Sequence, residues 1–89
     1  MKYAFRFTTH AQRQLRSIDR QQALRILTAL TPLGDDPHRD DADTKKLTRH
    51  DGLYRLRVGG FRVVYEIHDN VLTVLVVHLG NRRDVYRNL

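Results

Sequence analysis

Three arginines, Arg55, Arg57 and Arg62, are the residues of this sequence whose type and spacing best suit chemistry. They lie in Leu53–Ile67, where two runs of alternating apolar and polar residues flank Gly59-Gly60. A Gly-Gly pair between two such runs predicts a β-hairpin with a two-residue turn. In that register Arg57 faces Arg62, and Arg55 projects from the same face, because opposed side chains point the same way. The sequence therefore predicts three guanidinium groups on one face of a hairpin.

This arrangement favours anion binding over folding stability. Like charges in opposed positions weaken a hairpin by up to about 1 kcal/mol. Guanidinium groups bind anions, and phosphate matches their forked donors best. We therefore predict a phosphate-binding face; the alternative is a solvated basic surface. The other face of the hairpin is apolar and is expected to join the core, through Tyr54, Leu56, Val58, Phe61, Val63, Tyr65 and Ile67.

The N-terminal third of the chain supplies the elements that would cover this apolar face. Residues 2–7 alternate and predict a strand, which is followed by two threonines that suit a helix N-cap. An apolar stripe at helical spacing comes next, and Asp19 can cap a second helix with a similar stripe. Pro32 and Gly34 end that helix. We expect a helical hairpin that packs on the core face of the sheet.

The C-terminal part predicts a further strand and a basic tail. His68–Asn70 is a turn signal, and the apolar run Val71–Leu79 is typical of an interior strand. A two-residue turn places Val77 opposite Arg62 and directs His78 towards the helices, as a hydrogen-bonded core or rim residue. The tail that follows leaves this strand next to the one that carries Arg62. It is therefore expected to reach the basic face.

Composition restricts the class of protein. Residues 1–89 suffice for one small domain, and the absence of cysteine excludes disulfides and cysteine-based zinc sites. The aspartate-rich segment Asp35–Asp43 predicts a loop without the spacing of a calcium-binding loop, so neither a metal nor a cofactor is expected. No run approaches the ~18 apolar residues of a membrane span, which points to a cytoplasmic protein. The net charge of +6 predicts nucleic acid or an acidic protein as partner.

Several short motifs, in their order and spacing, resemble the RelE/ParE toxin superfamily of type II toxin–antitoxin systems, RelE-like branch. The motifs are Lys46-Leu47, Tyr54–Ile67 and His78–Tyr86, and the resemblance covers nearly the full chain. It implies a small single α+β domain. The implied fold has an N-terminal strand and a helical hairpin packed on a twisted, mainly antiparallel sheet, in the order β-α-α-β-β-β.

The resemblance also implies an activity and its partners. RelE-type toxins are mRNA interferases, that is, ribosome-dependent endoribonucleases that cut mRNA in the ribosomal A site. The 2′-hydroxyl of the substrate would attack the adjacent phosphate without a metal and leave a 2′,3′-cyclic phosphate and a 5′-hydroxyl. The expected partners are the ribosome, mRNA and a cognate antitoxin that inhibits the toxin in a heteromeric complex, with no role for a membrane.

The family motif assigns catalytic roles to five positions of this sequence, which are Arg55, Arg57, Arg62, Arg82 and Tyr86. With these residues in place, Arg62 is expected to stabilise the phosphorane, and Arg82 to stabilise charge on the leaving oxygen or to supply its proton indirectly. Other basic residues nearby are expected to bind substrate. These are Lys45, Lys46, Arg49 and Arg83.

The proton acceptor is the role that the sequence leaves open. RelE members carry lysine at the positions of Arg55 and Arg57, and arginine does not release its proton in proteins. These two residues are therefore interpreted as phosphate clamps. Tyr86 is the first candidate for the base, because surrounding arginines would favour its anionic form. His50 lies on a loop within reach, whereas Glu66 lies near the far end of the hairpin.

Two other functions are compatible with the sequence. ParE-like toxins share the fold but inhibit DNA gyrase without cutting RNA, and the arginines that replace the family lysines keep that branch in consideration. The second alternative is a non-catalytic basic domain that binds RNA or the ribosome. Such a domain would show salt-sensitive affinity without cleavage.

Overall fold

A computed structural model describes residues 2–87, in which a five-stranded sheet is combined with three α-helices. The strands are β1 (Ala4–Phe7), β2 (Thr44–Lys46), β3 (Tyr54–Val58), β4 (Phe61–His68) and β5 (Thr73–Asn81). The helices are α1 (Thr9–Ser17), α2 (Arg20–Leu30) and α3 (Arg82–Arg87). Short 3₁₀ turns occupy Thr31–Gly34 and Asp69–Val71. Within residues 2–87, no helix has the length and apolar character needed to cross a membrane.

The sheet has the strand order β1-β5-β4-β3-β2, and only the β1–β5 pair is parallel. The predicted α+β class, with a helical hairpin and a mainly antiparallel sheet, is confirmed. Strand β2 and helix α3 are additions to the predicted β-α-α-β-β-β order. Both are too short to be predicted from the sequence. A strand of three residues and a helix of six each contain fewer than two periods of the apolar pattern that would reveal them.

The two helices begin where the sequence predicts them to begin. The Thr8 side chain accepts a hydrogen bond from the Ala11 backbone N–H, and the Asp19 side chain accepts one from Gln21. These bonds satisfy N–H groups that have no partner within the first helical turn. The apolar stripes of the helices then pack on the core face of the sheet, where Ala11 and Ile26 are fully buried.

The hairpin of β3 and β4 has the predicted register in all five pairs, from Tyr54 opposite Tyr65 to Val58 opposite Phe61. Of the two turn glycines only Gly59 has a positive φ, +58°, which is the pattern of a type II′ turn. The guanidinium of Arg25, from α2, lies directly against Gly59. The turn therefore needs glycine at its first position for both backbone conformation and space.

This asymmetry leads to a test with a matched control. We expect Gly59→Ala to lower the free energy of unfolding by about 1–2 kcal/mol, because an L-residue is strained in this conformation. Its β-carbon would also lie 3.1 Å from Arg25 Nη2. No described atom lies within 4 Å of a β-carbon at Gly60, so Gly60→Ala should have an effect below about 0.5 kcal/mol. Urea unfolding measures both; equal losses would contradict this account of the turn.

The predicted pairing of β4 with β5 is wrong. Arg62 lies opposite Gly80, not Val77. The connection is longer than two residues, since a 3₁₀ turn is followed by Leu72 in the left-handed region with φ 46°, and β5 begins only at Thr73. A bulge after the Val64 pair then shifts the register again. The physical consequence is that the end of β5, and with it the start of α3, lies beside Arg62.

Candidate functional site

The site is built on the sheet face that carries Arg55, Arg57 and Arg62, here called the arginine face. Arg57 lies directly opposite Arg62, as predicted. The β2–β3 pairing adds Lys45, which lies opposite Arg55 and therefore points to the same side. Lys46 pairs with a residue of the core face and points to the other side. The structure thus brings Lys45, but not Lys46, to the predicted site.

Arg55 and Arg57 are engaged by the loop that precedes β2. Nη2 and Nε of Arg57 lie 3.2 and 3.3 Å from Asp43 Oδ1, and Nη2 also donates to the Ala42 carbonyl at 3.2 Å. Arg55 Nη1 donates to the Asp43 carbonyl at 3.1 Å. Asp43 therefore offers these arginines the type of acceptor that a phosphate oxygen would provide. Nothing in the local sequence pattern indicates this contact.

Arg62 is also held by oxygen atoms of the protein. Its Nη1 donates to the carbonyls of Gly59 and Phe61 at 2.8 and 2.9 Å, within its own hairpin turn. Contacts of this type at a protein surface each contribute about 1 kcal/mol or less. A phosphate that accepts two charge-assisted hydrogen bonds can replace them. The arginines are thus pre-positioned on one face, and their hydrogen bonds to the protein are weak enough to be exchanged for hydrogen bonds to a phosphate.

Helix α3 packs on the arginine face. Val85 is fully buried, and a β-carbon at Gly80 would lie 3.5 Å from Val85 Cγ2. Because Gly80 lies opposite Arg62, this contact places Val85 on the same side of the sheet as the arginines. At the start of the helix, the Arg82 backbone N–H donates to the Gly60 carbonyl at 3.1 Å. The helix is therefore attached to the hairpin turn at one end and to the sheet through Val85.

The other end of α3 forms a cleft with the loop between β2 and β3, here called the α3 cleft. Its volume is about 290 Å³, and it is lined by Leu47, Thr48, Arg49, His50 and Tyr86. Tyr86 is 39% exposed and lies one helical turn after Arg82, so both project from the same side of α3. The structure thus places Arg49, predicted to bind substrate, beside Tyr86. Arg83 is exposed on α3.

His78 and Tyr65 are half-buried or buried titratable groups that do not line the α3 cleft. His78 packs edge-on against His10 of α1, with ring centroids 4.7 Å apart, so it does contact a helix. Its Nδ1 is buried without a hydrogen-bond partner in the described part of the chain, contrary to the predicted hydrogen bond. Burial, followed by the charge of His10, lowers the pKa of His78. Burial raises the pKa of Tyr65 to about 12, which excludes it as a base near neutral pH.

His78 makes the stability of the fold depend on pH. Because its pKa in the folded state is lowered from 6.5, the unfolded chain binds the proton more readily. Its stabilising contribution is present above pH 6.5 and is lost as the pH falls through the folded-state pKa. We expect the free energy of unfolding, measured in urea, to fall between pH 8 and pH 5 less steeply in His78→Gln than in the wild type. Parallel curves for the two proteins would contradict this expectation.

A second polar cluster lies around Asp69 and has a structural role. Asp69 Oδ1 accepts a hydrogen bond from the Tyr3 hydroxyl at 2.5 Å and lies 2.8 Å from His38 Nε2. The hydrogen bond from Tyr3, and then that from His38, lower the pKa of Asp69. The cluster connects the N-terminal segment, the loop before β2 and the β4–β5 connection. In residues 2–87 there is no group of three or more His, Asp or Glu side chains placed to hold a metal.

The side chains of Glu66 and His68 are hydrogen-bonding partners of each other. His68 Nε2 lies 2.8 Å from Glu66 Oε1 near the end of β4 that is remote from the Gly59-Gly60 turn. Because both are engaged there, neither contributes to the α3 cleft. Of the other candidates for the proton acceptor, His50 and Glu66, the structure brings only His50 to the cleft that Tyr86 lines.

The chain is similar to known toxins in sequence and in fold. Residues 5–86 match the family described as ParE toxin of type II toxin–antitoxin system, parDE. The sequence is 33% identical to Toxin RelG of Mycobacterium tuberculosis over 90 residues, covering 98% of this chain and 99% of that protein.

Two solved toxin–antitoxin complexes contain a chain of the same fold. One chain of the complex RelBE2 from Mycobacterium tuberculosis has a TM-score of 0.78 and 28% identity, with 92% of this chain and 100% of that chain covered. One chain of the intact Escherichia coli RelBE complex has a TM-score of 0.75 and 26% identity, with 89% and 95% covered. In each comparison, the similarity therefore extends over almost the whole length of both this chain and the matched chain.

Proposed function

The chain belongs to the RelE/ParE toxin superfamily of type II toxin–antitoxin systems, and we propose that it is an endoribonuclease that cuts mRNA on the ribosome. The observation that supports this proposal is the arginine face. Arg57 and Arg62 are directly opposed on it, and α3 attaches Arg82 beside the same hairpin turn. A face with this density of forked donors suits the phosphates of an RNA strand.

The proposed reaction uses the 2′-hydroxyl of the substrate as nucleophile and therefore requires no cofactor. The 2′-oxygen forms a bond to the adjacent phosphorus as it loses its proton to a base. The bond from phosphorus to the 5′-oxygen breaks, and that oxygen takes up a proton, which yields a 2′,3′-cyclic phosphate and a 5′-hydroxyl. Arg57 and Arg62 would bind the pentacoordinate phosphorane, and Arg82 would stabilise charge on the departing oxygen.

The proposal includes a protein partner and a location. Two of the similar solved structures are toxin–antitoxin complexes, RelBE2 and RelBE. We expect a cognate antitoxin to inhibit this chain, with acidic groups that neutralise its charge of +6. Action on translated mRNA requires a cytoplasmic location, where ribosomes are found.

One experiment tests the activity against its alternatives. Purified protein is added to a translating extract, and new mRNA 5′ ends are mapped at nucleotide resolution. Cuts at a fixed position within codons, with cyclic phosphate on the upstream fragment, are the expected result. Intact mRNA together with salt-sensitive ribosome binding would replace the proposal with a non-catalytic RNA-binding role.

Gyrase inhibition is the second candidate. It is favoured by the match to the ParE family description and by arginine, not lysine, at Arg55 and Arg57. The same purified protein is therefore assayed with DNA gyrase and supercoiled plasmid. Trapped cleavage complexes without mRNA cuts would support the gyrase function and contradict mRNA cleavage.

The contact between Asp43 and Arg57 leads to a binding prediction. We expect Asp43→Asn to bind single-stranded RNA about fivefold more tightly, because it removes a carboxylate that competes with phosphate for Arg57. Asp40→Asn is the control, since it removes the same charge from the same loop. Affinities are measured with an RNA whose 2′-hydroxyls are methylated, so that it cannot be cut. An equal gain in both variants would show that net charge alone is responsible.

A further inference from the structure

The proposed reaction needs a group that takes a proton from the 2′-hydroxyl, and the three arginines that define the arginine face do not supply it. Glu66, on the same side of β4, is engaged by His68. Arg55 and Arg57 cannot serve, because guanidinium groups stay protonated in proteins. Two of the residues that line the α3 cleft carry side chains with the required chemistry, His50 and Tyr86. A phenol must lose its own proton before it can accept one, whereas a neutral imidazole already carries a lone pair. The chemistry of the cleft therefore favours the histidine.

The position of His50 is held by the backbone of the β2–β3 loop. Its carbonyl accepts a hydrogen bond from Leu53 N–H at 3.1 Å, and Leu47 N–H donates to the Leu53 carbonyl at 2.9 Å. The residue is partly buried, and its ring has no hydrogen-bond or ionic partner among residues 2–87. A loop closed by two backbone hydrogen bonds thus holds His50 at the wall of the cleft, with an imidazole that no residue in the range 2–87 engages.

The neighbours of His50 complete a site of the size of one nucleotide. Arg49 and Tyr86 line the same cleft, and neither side chain has a hydrogen-bond or ionic partner in the described range. The cleft volume of about 290 Å³ is at the lower end for small-molecule sites. The loop leads directly into β3, so Arg55 follows within a few residues. A ribose in the cleft would thus have its phosphate close to cations of both the loop and the sheet.

From this arrangement we infer that His50 is the general base of the cleavage reaction, at a subsite for one nucleotide formed with Arg49 and Tyr86. The inference rests on the proposed function. The proton moves from the 2′-oxygen to the His50 ring nitrogen as the bond from that oxygen to phosphorus forms. The bond to the 5′-oxygen breaks, and that oxygen takes its proton from water. Arg49 binds the phosphate, and Tyr86 packs against the sugar or base.

The test compares single-turnover cleavage of mRNA on programmed ribosomes by the wild type, His50→Ala and His50→Gln. We expect both variants to cut at least about 100-fold more slowly, as is typical when a general base is lost. Added imidazole should restore part of the rate of His50→Ala but none of that of His50→Gln. The wild-type rate should fall on acidification, and this fall should be absent in His50→Gln. His68→Ala, a histidine engaged by Glu66 away from the cleft, is the control and should retain full activity.

Each other result has a defined meaning. A wild-type protein that cuts mRNA, with His50→Ala as fast as His68→Ala, overturns this inference and leaves the proposed function in place. If the acidic fall in rate were absent in Tyr86→Phe and retained in His50→Gln, the tyrosine would be the base and the inference would again be overturned. A wild-type protein that cuts no mRNA overturns the proposed function and the inference together. Unchanged thermal unfolding midpoints of the variants ensure that lost activity does not reflect lost structure.

Discussion

Replacing Arg62 with alanine is expected to slow mRNA cleavage by about 10²–10³-fold and to leave the fold intact. Arg62 lies directly opposite Arg57 and opposite Gly80, next to the start of α3. It is therefore the cation placed between the hairpin and the helix. Its own hydrogen bonds, to two carbonyls of the turn, contribute about 1 kcal/mol to stability. The measurement is the single-turnover rate on programmed ribosomes, with circular dichroism to monitor the fold.

Two further variants separate site chemistry from net charge. Arg13→Ala removes the same charge from an exposed position of α1 and should lower the rate less than about threefold. Arg62→Lys keeps the charge but loses the planar, forked donor group. Its cleavage rate should lie between those of the wild type and Arg62→Ala. If Arg62→Ala and Arg13→Ala behaved alike, the arginine face would act only as a non-specific cationic surface.

Replacing Val85 with aspartate is expected to abolish detectable cleavage by detaching α3 from the sheet. Val85 is fully buried against the position of Gly80, and an ionised carboxylate there would lose its hydration without gaining a partner. A helix of six residues does not persist without tertiary contacts. Arg82 and Tyr86 would then leave the site together. The main core would remain, because Val85 lies outside its cluster.

The control for this variant is Val71→Asp, which places the same charge at a valine that is 63% exposed. Cleavage is measured alongside far-ultraviolet circular dichroism and amide hydrogen exchange. We expect rapid exchange confined to α3 in Val85→Asp and no change in Val71→Asp. Full activity of Val85→Asp would show that docking of α3 is not required. Global unfolding of Val85→Asp would show that α3 belongs to the same cooperative unit as the core.

Local patterns were sufficient to predict the hairpin and both long helices. The turn at Gly59-Gly60 and the period-two alternation around it determine which residues oppose one another, because each depends only on neighbouring residues. The caps at Thr8 and Asp19 are similarly local, since each side chain bonds a backbone N–H two or three residues away. The position of three arginines on one face follows from that pairing. The arginine face could therefore be predicted from the sequence.

The pairing of β4 with β5 was not accessible in this way. It depends on a left-handed Leu72, a conformation that leucine rarely adopts, and on a bulge near Val77. Both are held by residues far away in the sequence: the Thr8 hydroxyl donates to the Val77 carbonyl, and the Ala4 N–H donates to the Leu72 carbonyl. Sequence patterns report intrinsic preference, and here tertiary contacts override it.

The sequence by itself thus determined the family, the fold class and the arginine face, since these follow from short-range periodicity, turn chemistry and motif spacing. The tertiary structure alone decided that Asp43 occupies Arg57 and that Lys46 points away. It alone also placed His50 and Arg49 in one cleft with Tyr86. The cleft joins segments far apart in the chain, and burial of Val85 holds α3 in the position that forms it. The physical reason is that non-local packing has no periodic signature in the sequence.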